Sequence, residues 1–269
     1  MKAGNQSKWV SKISIGCGAI LIALLTVCPG FSQRFNYYHH NDSLKVITYT
    51  YSLFINIHWV DAGNVTLLID TGNVGDEQKI ESAFLKEGLI LDSVDYLIIT
   101  HGHADHAGNA HYFQQKYGMT LVAGAAETSL FRAGGHDKAL CPRGFNGWFV
   151  QRTIGGKTYT PFEPDLLVQD TLDLNTLGVN GSIISLPGHT PGSIVTFIDD
   201  IAFTGDLIAA KPLNKDKPNY HTFMCDLKDN LNDIRTVADV PGIQTWYLGH
   251  MGPLKTNDVN EFLTKQSQK

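Results

Sequence analysis

Apolar and polar positions alternate from Val46 to Tyr51, from Leu53 to Val60 and again from Val65 to Asp70. Asp61-Ala62-Gly63-Asn64 supplies a turn between the last two, so the chain is expected to open as a β-meander. The period then changes. After Gly75-Asp76-Glu77, the residues Ile80, Phe84 and Leu85 are expected on one face of a helix that carries acids at its positive end and stops at Gly88. Tyr96 to Thr100 is a short apolar run suited to a buried strand, Asn109 to Tyr117 a helix stopped by Gly118, and Thr120 to Ala123 a further strand. The second half repeats the alternation. Strands are predicted near Leu166 to Leu174 and Val179 to Leu186, followed by a hairpin from Ser193 to Phe203 turning at Asp199-Asp200. A loop, a helix around Leu227 to Ala238, a strand from Thr245 to Leu248 and a last helix from Asp258, capped by Thr256 or Asn257, complete the pattern. Two β-then-α halves imply an α/β fold of two sheets face to face with helices outside. The stretch from Arg132 to Pro164 has neither period and is rich in Gly, Pro and aromatics, which marks a functional loop.

A chain of 269 residues at 43% hydrophobic content can bury a full core, and no linker divides it, so residues 33–269 are expected to form one domain. The net charge of -5 with 17% charged residues supplies no basic field for a phosphate backbone, which argues against nucleic-acid partners. Residues 1–32 have their own logic. Lys2, Lys8 and Lys12 precede the uncharged stretch Ile13 to Val27, which is short and Gly-interrupted for a spanning helix, and Gly30-Phe31-Ser32 offers small residues at a cleavage site. The segment is therefore expected to be a signal peptide, giving an exported, periplasmic or secreted protein. An uncleaved membrane anchor and lipidation at Cys28 are the alternatives, and either would be the chain's only tie to a membrane. Export would permit a bridge between Cys141 and Cys225, or leave two free thiols.

Candidate chemistry concentrates in His101-Gly102-His103-Ala104-Asp105-His106, directly after the apolar run ending at Thr100. Imidazoles and a carboxylate at this density point to metal ligation. His101 and His103, two apart on an extended segment, can face the same side, while Asp105 and His106 can aim at a second point as the chain turns. Further donors stand after apolar strands and beside glycines: His189 in Leu186-Pro187-Gly188-His189-Thr190-Pro191-Gly192, Asp206 in Thr204-Gly205-Asp206, and His250 in Leu248-Gly249-His250. Taken singly, His189 also suits a packed core histidine, Asp206 a turn carboxylate and His250 an ordinary surface position. His58 and His111 are expected to be structural, whereas His136 and His221 lie on loops near the expected site.

The hexapeptide, the Pro-Gly-His-Thr-Pro-Gly loop, the Thr-Gly-Asp turn and the late Gly-His together resemble the metallo-β-lactamase superfamily, from about Val46 to the C-terminus. The resemblance implies a four-layer αββα sandwich of two mixed sheets flanked by helices, with the metal site at the sheet edge. It implies His101, His103 and His189 on one zinc, Asp105, His106 and His250 on a second, and Asp206 between them. Asp70, in Leu68-Ile69-Asp70-Thr71-Gly72, matches the family's acid beneath the site, which orients a ligand imidazole. An all-nitrogen-and-oxygen ligand set also admits iron or manganese in place of two Zn2+. Two cations about 3.5 to 4 Å apart acidify a bridging water toward a pKa near 7, so a hydroxide serves as nucleophile and Asp105 orients it or carries its proton.

Three functions compete. Superfamily β-lactamases often carry Cys or Ser where this chain has Asp206, whereas ester, thioester and lactone hydrolases typically carry Asp, which favours a small acyl substrate. Export favours the alternative, an exported metallo-β-lactamase. A non-catalytic metal-containing ligand-binding protein is the third. Hydroxyacylglutathione hydrolases share the ligands but append a helical portion, whereas 19 residues follow His250 here. For the substrate pocket, Phe145 and Trp148 are expected to form an apolar wall, with Tyr220 or His221 offering a polar contact; ordinary packing of these aromatics between loop and sheet is the alternative.

Overall fold

The computed structural model describes residues 33–52, 54–135, 148, 157–211, 214–224 and 226–268. The expected signal segment, Phe145, His136, Cys141 and Cys225 lie outside the described residues. Seven strands form one sheet in chain order: β1 (Arg34–Asn41), β2 (Leu44–Tyr51), β3 (Ile55–Asp61), β4 (Thr66–Ile69), β5 (Tyr96–Ile99), β6 (Thr120–Gly124) and β7 (Leu166–Val168). The first four pair antiparallel and β4 to β7 pair parallel. The other large sheet uses β8 (Thr171–Asp173), β9 (Gly181–Ser185), β10 (Ile194–Ile198), β11 (Ile201–Gly205), β14 (Thr245–Leu248) and β15 (Leu254–Lys255), in the order β15-β14-β11-β10-β9-β8. In it only β11 and β14 pair parallel. A two-stranded ribbon, β12 (Ala209–Lys211) and β13 (Asn214–Asn219), stands apart. Helices wholly within the described residues are α1 (Glu77–Lys86), α2 (Ala110–Tyr117), α3 (Thr128–Arg132), α4 (Leu227–Ala238) and α5 (Thr256–Ser267).

The period of two along each strand assigns residues to layers. Leu67, Ile69, Ile98 and Val122 point inward and meet Ile183, Ile194, Ile198, Phe203 and Tyr247 of the opposite sheet. Their neighbours Leu68, Leu97, Ile99 and Leu121 point outward, onto Ile80 and Phe84 of α1 and Phe113 of α2. On the far side, Val195, Phe197, Ala202, Trp246 and Leu248 pack on Ile234, Val237, Val259 and Leu263 of α4 and α5. Each such side chain removed from water stabilises the fold by about 1.5–3 kcal/mol. The result is the αββα sandwich that the resemblance implies, and its parallel strands are mostly apolar because both faces are covered. Among the described residues, no helix is long and apolar enough to cross a membrane.

Several expectations need correcting. Leu85 is 75% exposed, and Ala83 takes its place on the buried face of α1. At about 100° per residue, position 85 lies roughly 140° round the helix from Ile80. The single strand expected from Leu166 to Leu174 is two, for β7 pairs with β6 in one sheet and β8 with β9 in the other, so the chain changes sheets at Gln169-Asp170. Neither Thr256 nor Asn257 caps the last helix. α5 begins at Thr256, whose hydroxyl donates to the Ile243 carbonyl at 2.6 Å and accepts the Trp246 indole N–H at 3.0 Å. Strand β1 and the β12–β13 ribbon are additions to the expected elements.

Candidate metal centre

The candidate ligands gather at the ends of strands from both sheets. Asp70 follows β4 and the hexapeptide follows β5, parallel neighbours in one sheet, while Asp206 follows β11 and His250 follows β14, the parallel pair of the other. His189 stands in the turn between β9 and β10, and the Ile194 N–H donates to the Thr100 carbonyl at 2.9 Å, tying that turn to the hexapeptide strand. Gly249 N–H donates to Gly205 O at 2.8 Å and Asn56 N–H to Gly249 O at 2.8 Å, so the His250 loop is held from both sheets.

His101, His103, His189 and Asp206 each offer one ligand atom, and those atoms lie within 4.8 Å of one another, as do those of Asp105, His106 and His250. His103 Nδ1 is 3.1 Å from both His101 Nε2 and His189 Nε2. His106 Nε2 and His250 Nε2 are 3.3 Å apart, and His250 Nε2 is 3.3 Å from Asp105 Oδ2. Asp206 Oδ2 belongs to both groups, at 3.8 and 3.9 Å from the Nε2 atoms of His101 and His189 and at 3.4 Å from those of His106 and His250.

The remaining nitrogens fix which lone pairs are bare. His189 Nδ1 donates to the Phe223 carbonyl at 2.8 Å and His106 Nδ1 to Asp70 Oδ2 at 2.8 Å. His101 Nδ1 donates to the Thr100 hydroxyl at 3.0 Å, which in turn donates to the Asp70 carboxylate at 2.8 Å. Neutral His101 and His189 therefore present an unprotonated Nε2 to the centre, and His106 would do so on giving up its second proton to a cation. Asp70 serves two ligands at once, from a left-handed backbone at φ 62°, a conformation costly for a residue other than glycine.

Charge divides the groups. Burial, reinforced by neighbouring imidazoles, holds His101 and His189 well below the ordinary histidine range, which keeps them in the neutral, ligating form. Burial acts in the same direction on His106 and His250, yet the carboxylates of Asp206 and Asp105 overturn it and raise both, His250 to about 9. Burial raises Asp206 and Asp105, and the surrounding imidazoles pull both below the usual carboxylate range.

These donors fit a pair of cations. One proton on His103 can satisfy only one of the two bare nitrogens aimed at it, whereas a cation satisfies all three. Asp206 Oδ1 is buried and has no hydrogen-bond partner among the described residues, the mark of an atom that expects a ligand. The backbone makes room for it: a Cβ at Gly249 would stand 2.3 Å from Asp206 Oδ1 and 2.6 Å from His106 Cε1.

Of the expected substrate contacts, His221 comes to the centre, with Nε2 3.1 Å from Asp206 Oδ2. Tyr220 packs edge-on against Phe262 of α5, ring centroids 5.1 Å apart, and Trp148 is 48% exposed. His58 is buried between the sheets, as a structural histidine should be. Phe223 was not anticipated: its carbonyl fixes His189, and its ring centroid lies 6.3 Å from that of His103. It sits in a stretch without period, so only the fold reveals it. Thr100 was read only as the end of a strand, although its place immediately before a ligand was the available signal.

The chain matches the family model described as the metallo-beta-lactamase superfamily over residues 51–242. It is 26% identical over 208 residues to a probable metallo-hydrolase of Methanocaldococcus jannaschii, covering 77% of this chain and 91% of that protein. It is 28% identical over 182 residues to the hydroxyacylglutathione hydrolase GloC of Haemophilus influenzae, covering 64% of this chain and 76% of that protein. The solved structure of a beta-lactamase from Chitinophaga pinensis shares its fold, with a TM-score of 0.58 at 17% identity over 90% of this chain and 95% of that one. The match begins within β2 and ends just short of β14, so His250 stands outside it. With two mixed sheets between helices, and His and Asp donors gathered at their edge, the chain belongs to the metallo-beta-lactamase superfamily.

Proposed function

We propose that the chain is a hydrolase that uses two cations of the zinc type to cleave a small acyl substrate: an ester, a thioester or a lactone. The observation that carries this reading is Asp206, a buried carboxylate whose one oxygen faces both donor groups. When bound, the cations supply Lewis acidity toward an acyl oxygen and make a water acidic enough to act as nucleophile near neutral pH. The chain's own residues supply the rest. Asp105 is 27% exposed at the side chain and ionised at neutral pH, which suits its carboxylate to orient a water and take its proton. Phe223 offers an apolar wall beside His103, and His221 a polar edge beside Asp206. A carboxylate between the donor groups in place of a softer ligand, and the hydroxyacylglutathione hydrolase among the relatives, both support a C–O or C–S substrate. Those bonds leave readily, whereas a lactam nitrogen needs protonation as it departs.

The test is a panel of simple esters, thioesters, lactones and a chromogenic β-lactam, assayed with zinc-, iron- and manganese-loaded protein. We expect turnover of an acyl-oxygen or acyl-sulfur substrate, abolished by chelator and restored by metal. Robust β-lactam hydrolysis instead would make the chain a β-lactamase, and inactivity of the loaded protein across the panel would leave a binding protein.

A further inference from the structure

Glu127 is a carboxylate at 2% exposure that joins two ligand loops. It ends the single turn Ala125–Glu127 between β6 and α3. Its Oε2 accepts the Gly102 N–H at 2.8 Å, and its Oε1 accepts the Gly192 N–H at 2.9 Å. Gly102 is the peptide between His101 and His103, and Gly192 lies in the turn that carries His189. The Tyr159 hydroxyl donates to the Gly102 carbonyl at 3.0 Å, so that peptide is gripped on both sides.

Three glycines clear the space. A Cβ at Gly102 would stand 2.3 Å from Glu127 Oε2, and one at Gly192 would stand 2.4 Å from Glu127 Cγ. A Cβ at Gly124 would stand 1.9 Å from the Gly192 carbonyl oxygen. Burying a carboxylate is costly unless its oxygens are hydrogen-bonded, and charge-assisted bonds to peptide N–H groups are the strong kind. Both oxygens are committed to backbone on the two loops, which come from opposite sheets.

We propose that Glu127 is a positioning residue that sets the spacing between His101-Gly102-His103 and His189, and so tunes the first cation site and leaves the second to other supports. The second group shares the hexapeptide turn, where the His106 N–H donates to the His103 carbonyl at 3.0 Å. Yet it has supports of its own: His106 Nδ1 donates to Asp70 Oδ2 at 2.8 Å, the His106 carbonyl accepts the Thr71 N–H at 2.8 Å, and Gly249, beside His250, is tied to Gly205 and Asn56. The inference rests on the reading that these donors bind cations.

Wild-type, Glu127→Gln and Tyr159→Phe proteins would be stripped, titrated with zinc against a chelating indicator for stepwise affinities, and loaded with cobalt for paramagnetic proton NMR. In Glu127→Gln one peptide N–H must face an amide NH2. One zinc should then bind about 10- to 100-fold more weakly, the size typical of lost support around a metal site, with the other unchanged. The cobalt-shifted Nδ1 protons of His101 and His189 should move while that of His106 stays. Tyr159→Phe should weaken the same zinc by a smaller factor, and keeps the test open should the Gln variant fail to fold. Unchanged affinities with a lowered melting temperature, or equal loss at both sites, would overturn the proposal. A wild-type chain that takes up no cation would instead remove the functional reading beneath it.

Discussion

Gly249 carries no side chain because the space where one would stand is filled by the Asp206 carboxylate and the His106 ring. Both neighbours are buried, so neither can swing away. Gly249→Ala should therefore displace the shared carboxylate and weaken cation binding by about 10- to 100-fold, comparable to loss of a supporting contact. Calorimetric titration with zinc checks this, and wild-type affinity would show that the loop yields. At this scale the seven candidate ligands were legible because six residues packed with imidazole have few other uses, and the later donors inherit weight from them. Glu127 was not. An acid at the start of a short helix has a ready local explanation, and only the tertiary approach of Gly102 and Gly192 gives it another.

Elements explain how separate loops reach one point. Parallel neighbours β4 and β5 end side by side, as do β11 and β14, so the Asp70 loop and three loops bearing candidate ligands leave the sandwich at one edge. Strand β3, beside β4, contributes His58, whose Nδ1 accepts from the Thr48 hydroxyl at 2.9 Å and whose Nε2 donates to the Leu248 carbonyl of the other sheet at 3.1 Å. Burial lowers the His58 pKa to about 4 from its ordinary 6.5. Below 6.5 the unfolded chain takes up a proton that the folded chain refuses until about 4, so stability falls as pH drops through that window. The full effect is about 3 kcal/mol. Urea unfolding of metal-free protein between pH 7 and 4.5 should show this loss, and His58→Gln should flatten it. An equal slope in the variant would assign the loss to other groups. The strands with clear alternation were legible in sequence. The β12–β13 ribbon was not, because Asn214–Asn219 is polar throughout, nor was the break between β7 and β8, since a chain leaving one sheet for another keeps its apolar residues on either side.

For the whole molecule, the seam between two sheets is the centre of the account. Each sheet has its own helices and outer core, and they share the layer of Ile69, Ile98, Ile194, Phe203 and Tyr247 beneath the site. Above that layer, imidazoles and carboxylates replace aliphatic groups, and the buried Asp206 Oδ1 has no hydrogen-bond partner among the described residues, a need that a cation would meet. Cations bound to the folded chain alone should stabilise it by about 4 kcal/mol at a thousandfold excess over Kd. The most direct measurement is the metal content of the purified protein by plasma mass spectrometry, paired with its melting temperature before and after exhaustive chelation. The account predicts two cations of the zinc type per chain and a lower melting temperature on their removal, restored by re-addition. Less than one cation per chain after metal supply, with a melting temperature indifferent to chelator, would contradict it.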